Sequence, residues 1–391
     1  FVKGPKASPH DIPFMGMHIS GEHRYMLENM QMSRKSGDES RVLPISVIEN
    51  KLEQILLTGG EDRLNEYRDE LRTVAEELGM QTEFAKINNI ISALLSTHDA
   101  KVLSTDSAKA LAVGNPFDKT RVELFEVLFE AIKDRYFVIR NNRNTDEESF
   151  RLFSFFESYF SNYIEGTEFE IDEAKAIVDS GIPMPRRDED SHDILGTFKV
   201  LSNRAEMMKT PTSPKELFSI LSHRHSILLE GRPHMNPGIL KTKNNRAGMT
   251  EFVDYQLVKG TLSQGFKYYA ALTDPFARAI FMMFMISEVH PFNDGNGRVA
   301  RVMMNAEFVR ADQSRIIVPT VFREDYILAL RKLTQHKDPL AYINVMTKLH
   351  QFSDNLYGTD FTELKNYLAT CNAYEEPSQA KLQIIDRTII E

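Results

Sequence analysis

Residues 290–301 read HPFNDGNGRVAR, and the fold class is best inferred from this segment and its neighbours. The segment follows residues 276–289, which are apolar on nearly every side and begin after Asp274, a favourable N-cap. A helix of this kind belongs in the middle of a helical bundle. Pro291 ends it, because the residue before a proline disfavours the α conformation. The sequence therefore predicts a mainly α fold in which a buried helix presents His290 at its C-terminal end.

A second helix is predicted to begin at about Gly297 and to point its first amide groups at the loop. Free amides at a helix N-terminus form an anion site, and the glycines Gly295 and Gly297 allow a ligand to approach the backbone closely. Arg298 and Arg301 lie three residues apart on the first turn, so they project to the same side. This combination favours a ligand that carries phosphate groups.

Two further side chains add reactive groups to the loop. Asp294 offers the hard oxygen ligand that Mg²⁺ prefers, and His290 titrates near neutrality and can take a proton from a hydroxyl. Taken singly, such a histidine is more often a packing residue, and two arginines on a helix are usually solvated. The whole string has no comparable explanation, because Gly-Asn-Gly between an apolar helix and two arginines serves no packing purpose.

The composition bounds the class of protein. The chain has 391 residues, 42% of them hydrophobic and 26% charged, which is ordinary for a globular protein of about two or three domains or one large one. The net charge of −9 argues against nucleic acid as a partner. The longest apolar run, residues 279–286, is too short to cross a bilayer, and residues 1–17 show no export signal. The single cysteine, Cys371, cannot form an internal disulfide, so we expect a reducing, cytoplasmic location. We also expect no membrane partner, and we expect a homodimer.

Changes in periodicity divide the chain into four predicted regions. They are a loop-rich arm, a helical N-terminal region broken at Gly59 and Gly60, the core and a helical tail, at residues 1–40, 41–130, 131–353 and 354–391 respectively. Within the core, residues 181–193 are predicted to form a proline- and charge-rich loop. Residues 237–254 are predicted to form a β-hairpin with a wide turn, its two strands at residues 239–243 and 250–253.

The string at residues 290–301 resembles the signature of the Fic (filamentation induced by cAMP) family, His-Pro-Phe-x-Asp/Glu-Gly-Asn-Gly-Arg-x-x-Arg, and matches every specified position. A pattern of this length is far more specific than a short motif. The resemblance extends over about residues 159–353. It implies a helical bundle with a small β-hairpin flap over the site. It also implies a protein adenylyltransferase, an enzyme that transfers the AMP of ATP to a protein hydroxyl with Mg²⁺ as cofactor.

The resemblance implies a role for each position of the loop. His290 would deprotonate a Ser, Thr or Tyr hydroxyl, Asp294 would bind Mg²⁺ between the α- and β-phosphates, and Phe292 would point into the core. The loop and the first helical turn would hold the nucleotide through Gly295, Asn296, Gly297, Arg298, Val299, Ala300 and Arg301. The Asn296 side chain is implied to contact the phosphates, and the two arginines are implied to neutralise the β- and γ-phosphates.

The predicted hairpin at residues 237–254, called the flap below, corresponds to the family's flap. The resemblance implies that the nucleotide is lined by Asn245, Arg246, Ala247 and Gly248. An unknown target protein would dock on the flap by strand addition. Tyr326 stands where relatives place an aromatic residue near adenine, although a tyrosine of the helix surface or core fits the sequence equally well.

A second motif lies upstream of the flap. Residues 161–166 read SNYIEG and resemble the family's inhibitory motif, Ser/Thr-x-x-x-Glu-Gly/Asn. The motif ends an aromatic helix predicted over residues 145–166, with Thr145 and Glu148 as a capping box and Gly166 just after its end. This position is that of the family's subclass with an N-terminal inhibitory helix.

In that subclass the resemblance implies that Glu165 pairs with Arg301. A carboxylate on this guanidinium would force ATP into a non-productive pose, and arginine suits the pairing because its geometry matches a carboxylate. Ser161, one turn earlier, is implied to make a local hydrogen bond. The alternative is an ordinary surface glutamate at a helix C-terminus, where the macrodipole disfavours it slightly.

Several functions are compatible with these residues. The first is a self-inhibited adenylyltransferase that modifies itself or a target protein. The same site in reverse would remove AMP, since a glutamate near the scissile phosphate can position water, and transfer of another phosphate-bearing group is also compatible. A third candidate is a non-catalytic ATP-binding module that interacts through residues 41–130; the intact His290 argues against it.

Overall fold

The computed structural model describes residues 7–33, 40–97, 99–248 and 250–387. Contacts divide the chain into two compact units, Phe1–Phe117 and Asp118–Glu391. This division differs from the predicted border at residue 130, because the helix that spans it, Lys119–Ile132, packs within the second unit. No helix among the described residues is long and apolar enough to span a bilayer.

The first unit is helical around its own core. In the described part of this unit, a two-stranded antiparallel hairpin is followed by four α-helices: β1 (Ile12–Phe14), β2 (Met17–Ile19), α1 (Glu22–Glu28), α2 (Ile45–Leu78), α3 (Gln81–Leu94) and α4 (Asp106–Ala112). The predicted break lies within α2, where Gly60 has a φ of 73°. The predicted arm at residues 1–40 instead contains the hairpin and α1, while residues 1–6 and 34–39 of that arm lie outside the described residues.

The second unit is a helical bundle with one small hairpin. Its elements in chain order are α5 (Lys119–Ile132), α6 (Glu147–Ile164), α7 (Ile171–Ser180), α8 (Asp188–Leu201), α9 (Arg204–Met207), α10 (Pro214–Leu228), β3 (Arg246–Ala247), β4 (Thr250–Glu251), α11 (Val258–Ala271), α12 (Pro275–Val289), α13 (Asn296–Arg310), α14 (Arg323–His336), α15 (Pro339–Ser353) and α16 (Phe361–Thr370). The mainly α class with a small hairpin and a helical N-terminal region is confirmed.

Helix α12 lies at the centre of the second unit, as predicted. Asp274 accepts the N–H of Ala277 at 2.9 Å and so caps the helix. Each residue from Ala279 to Ile286 is fully buried, and α12 packs against α5, α11 and α13. A helix buried on all sides has a fixed position, so the residues that follow it are held firmly.

Helix α6 begins one residue later than its predicted capping box. Asp146, not Thr145, is the N-cap, because its Oδ1 accepts the N–H of Ser149 at 2.9 Å. The end is as predicted: the helix stops at Ile164, Glu165 is the C-cap, and Gly166 has a positive φ of 92°.

The flap is a hairpin, but a shorter one than predicted. Its strands are β3 and β4, paired antiparallel with Ala247 opposite Thr250. The first strand does not extend over residues 239–243, because the N–H of Lys241 donates to the carbonyl of Pro291 at 2.8 Å. That segment is therefore hydrogen-bonded to the loop after α12 rather than to the second strand.

The predicted loop at residues 181–193 is a loop only in its first part. Helix α8 begins at Asp188, and its first turn carries Asp188, Glu189 and Asp190. Acidic residues at a helix N-terminus interact favourably with the macrodipole, so this cluster was a helix-start signal in the sequence. The predicted tail at residues 354–391 contains α16 together with turns and irregular segments, and residues 388–391 lie outside the described residues.

Candidate active site

His290 follows α12 as its C-cap, with a left-handed φ of 52°. Its Nδ1 lies 3.3 Å from the carbonyl of Ser287. A carbonyl can only accept, so Nδ1 carries the hydrogen and Nε2 keeps a lone pair. Burial lowers the pKa of His290 to about 4. The hydrogen bond to the Ser287 carbonyl opposes this shift, and the charge of Lys241 adds to it. The imidazole is therefore neutral at pH 7, the state that a general base requires.

Phe252 covers one face of His290. The ring centroids are 3.6 Å apart and the planes differ by 4°. Phe252 comes directly after β4, so the flap supplies the ring that stacks on the histidine. Phe252 was not predicted as a site residue, since nothing in the sequence distinguishes it from a packing aromatic residue.

The loop between α12 and α13 is closed by Asn296. Its Oδ1 accepts the N–H of Phe292 at 2.8 Å, and its Nδ2 donates to the carbonyl of Phe292 at 2.9 Å. This differs from the expectation that the Asn296 side chain contacts phosphate, because both of its polar atoms are engaged in the loop. Phe292 is fully buried, as predicted, and Gly295 takes a φ of 71° at the N-cap of α13.

His225 on α10 connects the flap to this loop and was not predicted. Its Nδ1 accepts the N–H of Gly238 at 2.8 Å, so its Nε2 carries the hydrogen and donates to the carbonyl of Asp294 at 2.9 Å. Its ring stacks on Phe292 with centroids 3.7 Å apart. Burial lowers the pKa of His225 to about 4, which keeps this neutral tautomer in place at pH 7.

Glu165 and Arg301 are paired in the structure. Oε1 of Glu165 lies 2.6 Å from Nη2 of Arg301. The same Oε1 lies so close to the N-terminus of α13 that a Cβ on Gly297 would collide with it. Burial raises the pKa of Glu165, but the charge and hydrogen bond of Arg301 outweigh it and hold the pKa below its usual value. The carboxylate thus lies against the predicted anion site.

Ser161 also binds Arg301 rather than making only a local hydrogen bond. Nε of Arg301 donates to Oγ of Ser161 at 2.9 Å, and Nη2 donates to the Ser161 carbonyl at 2.9 Å. Arg301 is 5% exposed, and its guanidinium contacts acceptors from the end of α6. The fold therefore brings the two sequence motifs into contact, although Ser161 and Arg301 are 140 positions apart in the chain.

Arg298 is placed differently from the expectation. Its Nη1 lies 2.6 Å from Oδ2 of Asp193 and 3.4 Å from Oδ1 of Asn162. Arg232 binds the same Asp193 oxygen at 2.6 Å. Asp193 on α8 is buried between the two arginines, so Arg298 is engaged away from the cavity. Asp193 and Arg232 were missed because only the tertiary fold brings them to the loop.

A cavity of about 370 Å³ brings together six of the predicted site residues. Its walls include His290, Glu165, Gly297, Arg301 and Tyr326. From the flap, Ala247, Thr250 and Phe252 line it, whereas Arg246 and Gly248 are not among its lining residues in the described part of the chain. Val299 and Ala300 are fully buried in the core. Asn245 donates instead to the carbonyl of Phe292 at 2.9 Å.

Asp294 places a carboxylate at the edge of the turn that leads into α13. Its Oδ1 accepts the N–H of Gly295 at 2.7 Å, and its Oδ2 lies 3.6 Å from Nη2 of Arg298. The side chain is 38% exposed, so it is open to a ligand. Across residues 7–33, 40–97, 99–248 and 250–387, no three His, Cys, Asp or Glu residues converge on one point. Mg²⁺ is often bound by one or two carboxylates together with substrate phosphates, and Asp294 fits that manner of binding.

These observations define a class of site: a neutral histidine and a helix N-terminus with an arginine, sharing one cavity beneath a hairpin. Residues 218–307 match the model of the Fic/DOC family. This match includes the loop at residues 290–301, so the resemblance of the loop to the Fic family signature is confirmed.

The curated relatives that this chain matches are named protein adenylyltransferases. The protein adenylyltransferase fic-1 of Caenorhabditis elegans is 26% identical over 231 residues, which cover 57% of this chain and 45% of the relative. The protein adenylyltransferase Fic of Nematostella vectensis is 25% identical over 216 residues, covering 51% and 47%. The chain thus spans about half the length of the curated relatives it matches. A solved fragment of C. elegans Fic-1 has a TM-score of 0.45 and 16% identity, over 84% of this chain and 94% of that one.

Proposed function

We propose that this protein is a self-inhibited adenylyltransferase that transfers AMP from ATP to a Ser, Thr or Tyr hydroxyl of itself or of a target protein. One observation carries the proposal. His290, the N-terminus of α13 and Arg301 border one cavity in a Fic domain whose curated relatives bear this name. The cavity thus offers a proton acceptor and a phosphate-binding surface together.

The reaction follows from these groups. The hydroxyl oxygen attacks the α-phosphorus of ATP and forms a new P–O bond while its proton passes to Nε2 of His290. The bond from the α-phosphorus to the oxygen shared with the β-phosphate breaks, and pyrophosphate leaves. Amides at the N-terminus of α13 and the guanidinium of Arg301 stabilise the negative charge on the departing phosphates. Asp294 would hold Mg²⁺, which would neutralise phosphate charge.

Self-inhibition is proposed from the position of Glu165. Its carboxylate occupies the guanidinium and the helix N-terminus that the terminal phosphates of ATP need. The side chain is 32% exposed, so a local movement of the end of α6 can withdraw it. We propose that ATP binds unproductively while this pair is in place.

The target protein is proposed to dock along the flap. Arg246 and Ala247 are exposed on β3, which among the described residues pairs only with β4, so its other edge can take an added strand. The homodimer and the cytoplasmic location stay predictions from the sequence.

Intact-mass spectrometry tests the proposal. Wild type, Glu165→Gly and Glu165→Gly/His290→Ala are incubated with ATP and Mg²⁺. Glu165→Gly is expected to gain the mass of AMP, the double variant to gain none, and wild type to gain little. Glu168→Gly, which removes an exposed carboxylate three residues along, serves as the matched control and should behave like wild type. Labelling that survives the loss of His290 would contradict the mechanism.

Removal of AMP is a second candidate, because Glu165 and His290 border the same cavity and a carboxylate there can orient water. The test mixes AMP-modified Glu165→Gly/His290→Ala, labelled in trans by Glu165→Gly, with wild type. Loss of the AMP mass would favour removal, whereas its persistence would favour transfer. Binding of ATP by calorimetry with no mass change in any variant would indicate a non-catalytic module.

A further inference from the structure

Two flap residues hold the backbone on both sides of His290. The N–H of Lys241 donates to the carbonyl of Pro291 at 2.8 Å, and its Nζ lies 3.4 Å from the carbonyl of Val289. Asn245 donates to the carbonyl of Phe292 at 2.9 Å. The flap thus contacts the residue before His290 and the two residues after it.

Lys241 and Asn245 also bind each other. Nζ of Lys241 donates to Oδ1 of Asn245 at 2.7 Å. Lys241 is 3% exposed, although a buried ammonium is costly unless its donors are satisfied. Such burial indicates a constraint at this position, since a hairpin base would ordinarily leave its lysine in water, as it does for Lys243.

We propose that Lys241 is a positioning residue for His290: with Asn245 it fixes the loop so that the imidazole stays stacked under Phe252 with Nε2 available to the cavity. This inference rests on the proposed adenylyl transfer and adds a residue to it. The flap then has a second role besides docking a target, because Lys241 and Asn245 of the flap hold the catalytic base His290 in position.

The ammonium of Lys241 has an electrostatic consequence as well. Burial has the largest effect on the pKa of His290 and lowers it. The charge of Lys241 lowers this pKa further, whereas the Ser287 carbonyl and the carboxylates of Glu165 and Asp294 raise it. Removing the ammonium therefore raises the pKa of His290.

Lys241 itself lies among charged groups. Burial lowers the pKa of Lys241 to about 8. The carboxylate of Asp254, beyond β4, opposes this decrease, and the charge of Arg121 on α5 adds to it. At pH 7 the ammonium is still mostly charged, so its effect on His290 operates under ordinary assay conditions.

The test compares Lys241→Met, Lys241→Arg and the matched control Lys243→Met, each in the Glu165→Gly background. One measurement is the rate of AMP incorporation against pH. The other is the pH dependence of His290 modification by diethyl pyrocarbonate, mapped by mass spectrometry without ATP. The reagent attacks only the neutral imidazole, so this readout does not depend on enzymatic activity.

We expect Lys241→Met to lower the rate about tenfold or more and to move both midpoints to higher pH. Lys241→Arg should restore the midpoints and much of the rate, and Lys243→Met should match the parent. Unmoved midpoints in Lys241→Met would overturn the proposal. Lys241→Gln, which keeps a donor but no charge, replaces it if the methionine variant fails to fold. If no variant transfers AMP, the proposed function fails while the modification curves still decide the role of Lys241.

Discussion

Oε1 of Glu165 lies 2.6 Å from Nη2 of Arg301, and two oxygens of Ser161 accept hydrogen bonds from the same guanidinium. Arginine and carboxylate side chains form strong charge-assisted hydrogen bonds, and here the pair also covers the N-terminus of α13 beside Gly297. A phosphate group and the Glu165 carboxylate would compete for one surface. The strength of every contact that holds the end of α6 should therefore affect activity.

Replacement of Ser161 by alanine should relieve inhibition in part. The change removes the acceptor of Arg301 Nε but leaves the carbonyl of residue 161 and the Glu165 carboxylate in place. One hydrogen bond is worth about 0.5–1.5 kcal/mol, so AMP incorporation should rise about two- to tenfold and stay below that of Glu165→Gly. The control is Ser158→Ala, one turn earlier, whose hydroxyl donates to Ile194 and not to Arg301. An equal rise in both serine variants would attribute the effect to a general loosening of α6.

Replacement of Asp193 by asparagine should lower the stability of the second unit. The Asp193 carboxylate is buried between Arg298 and Arg232, each 2.6 Å away. Removing one partner of a buried ion pair leaves charge uncompensated and costs about 3–5 kcal/mol. Urea unfolding followed by circular dichroism should show this loss, whereas Asp188→Asn, an exposed change on the same helix, should cost less than about 1 kcal/mol. Similar losses in both variants would show that Asp193 is not needed to balance the arginines.

Local sequence signals were sufficient to predict the helices and the turn that form the backbone of the site. The apolar residues of α12 fixed it as the central helix, Pro291 fixed its end, and the glycines of the loop indicated the turn into α13. The end of α6 at Glu165 followed from Gly166 in the same way. Each of these features depends on residues within a few positions of one another.

The contacts between distant segments could not be predicted from the residues alone. His225 reaches Asp294 across 69 positions, and Arg298 on α13 reaches Asp193 on α8, although these two helices are far apart in the sequence. A histidine or an aspartate on a helix looks the same in the sequence whether it faces water or a buried arginine. The cap of α6 was misassigned because Thr145 and Asp146 are both good capping residues, and only geometry selects Asp146.

Acid should destabilise the second unit partly through His225. Its pKa is about 4 in the folded protein against about 6.5 when unfolded. Between these values the unfolded chain binds the proton and the folded chain does not. The stability that the neutral His225 contributes is thus present above pH 6.5 and is lost as the pH falls towards 4.

The loss from His225 between pH 7 and pH 5 is about 2 kcal/mol by linkage. His225→Gln keeps a donor for the carbonyl of Asp294 but cannot titrate, so its free energy of unfolding should fall by about 2 kcal/mol less than that of wild type over this range. Urea unfolding at the two pH values measures the difference. His223→Gln, an exposed change two residues away, should leave the wild-type pH dependence intact. A slope unchanged in His225→Gln would mean that this histidine is not neutralised by folding.

The segment after α16 should help to keep Glu165 in place, because it packs on the last two turns of α6. Tyr374 stacks on Phe160 with centroids 5.5 Å apart, and Oη of Tyr163 donates to Glu376 at 2.6 Å. Tyr374→Ala removes the stacked ring, so α6 loosens near its end and AMP incorporation should rise several-fold over wild type. Tyr374→Phe is the matched control: the Oη of Tyr374 is buried without a hydrogen-bond partner among the described residues, so its loss should leave activity unchanged. Adding Tyr374→Ala to Glu165→Gly should give no further increase, since the inhibitory carboxylate is already gone. An increase in that double variant would show that the ring acts on catalysis by a route other than Glu165.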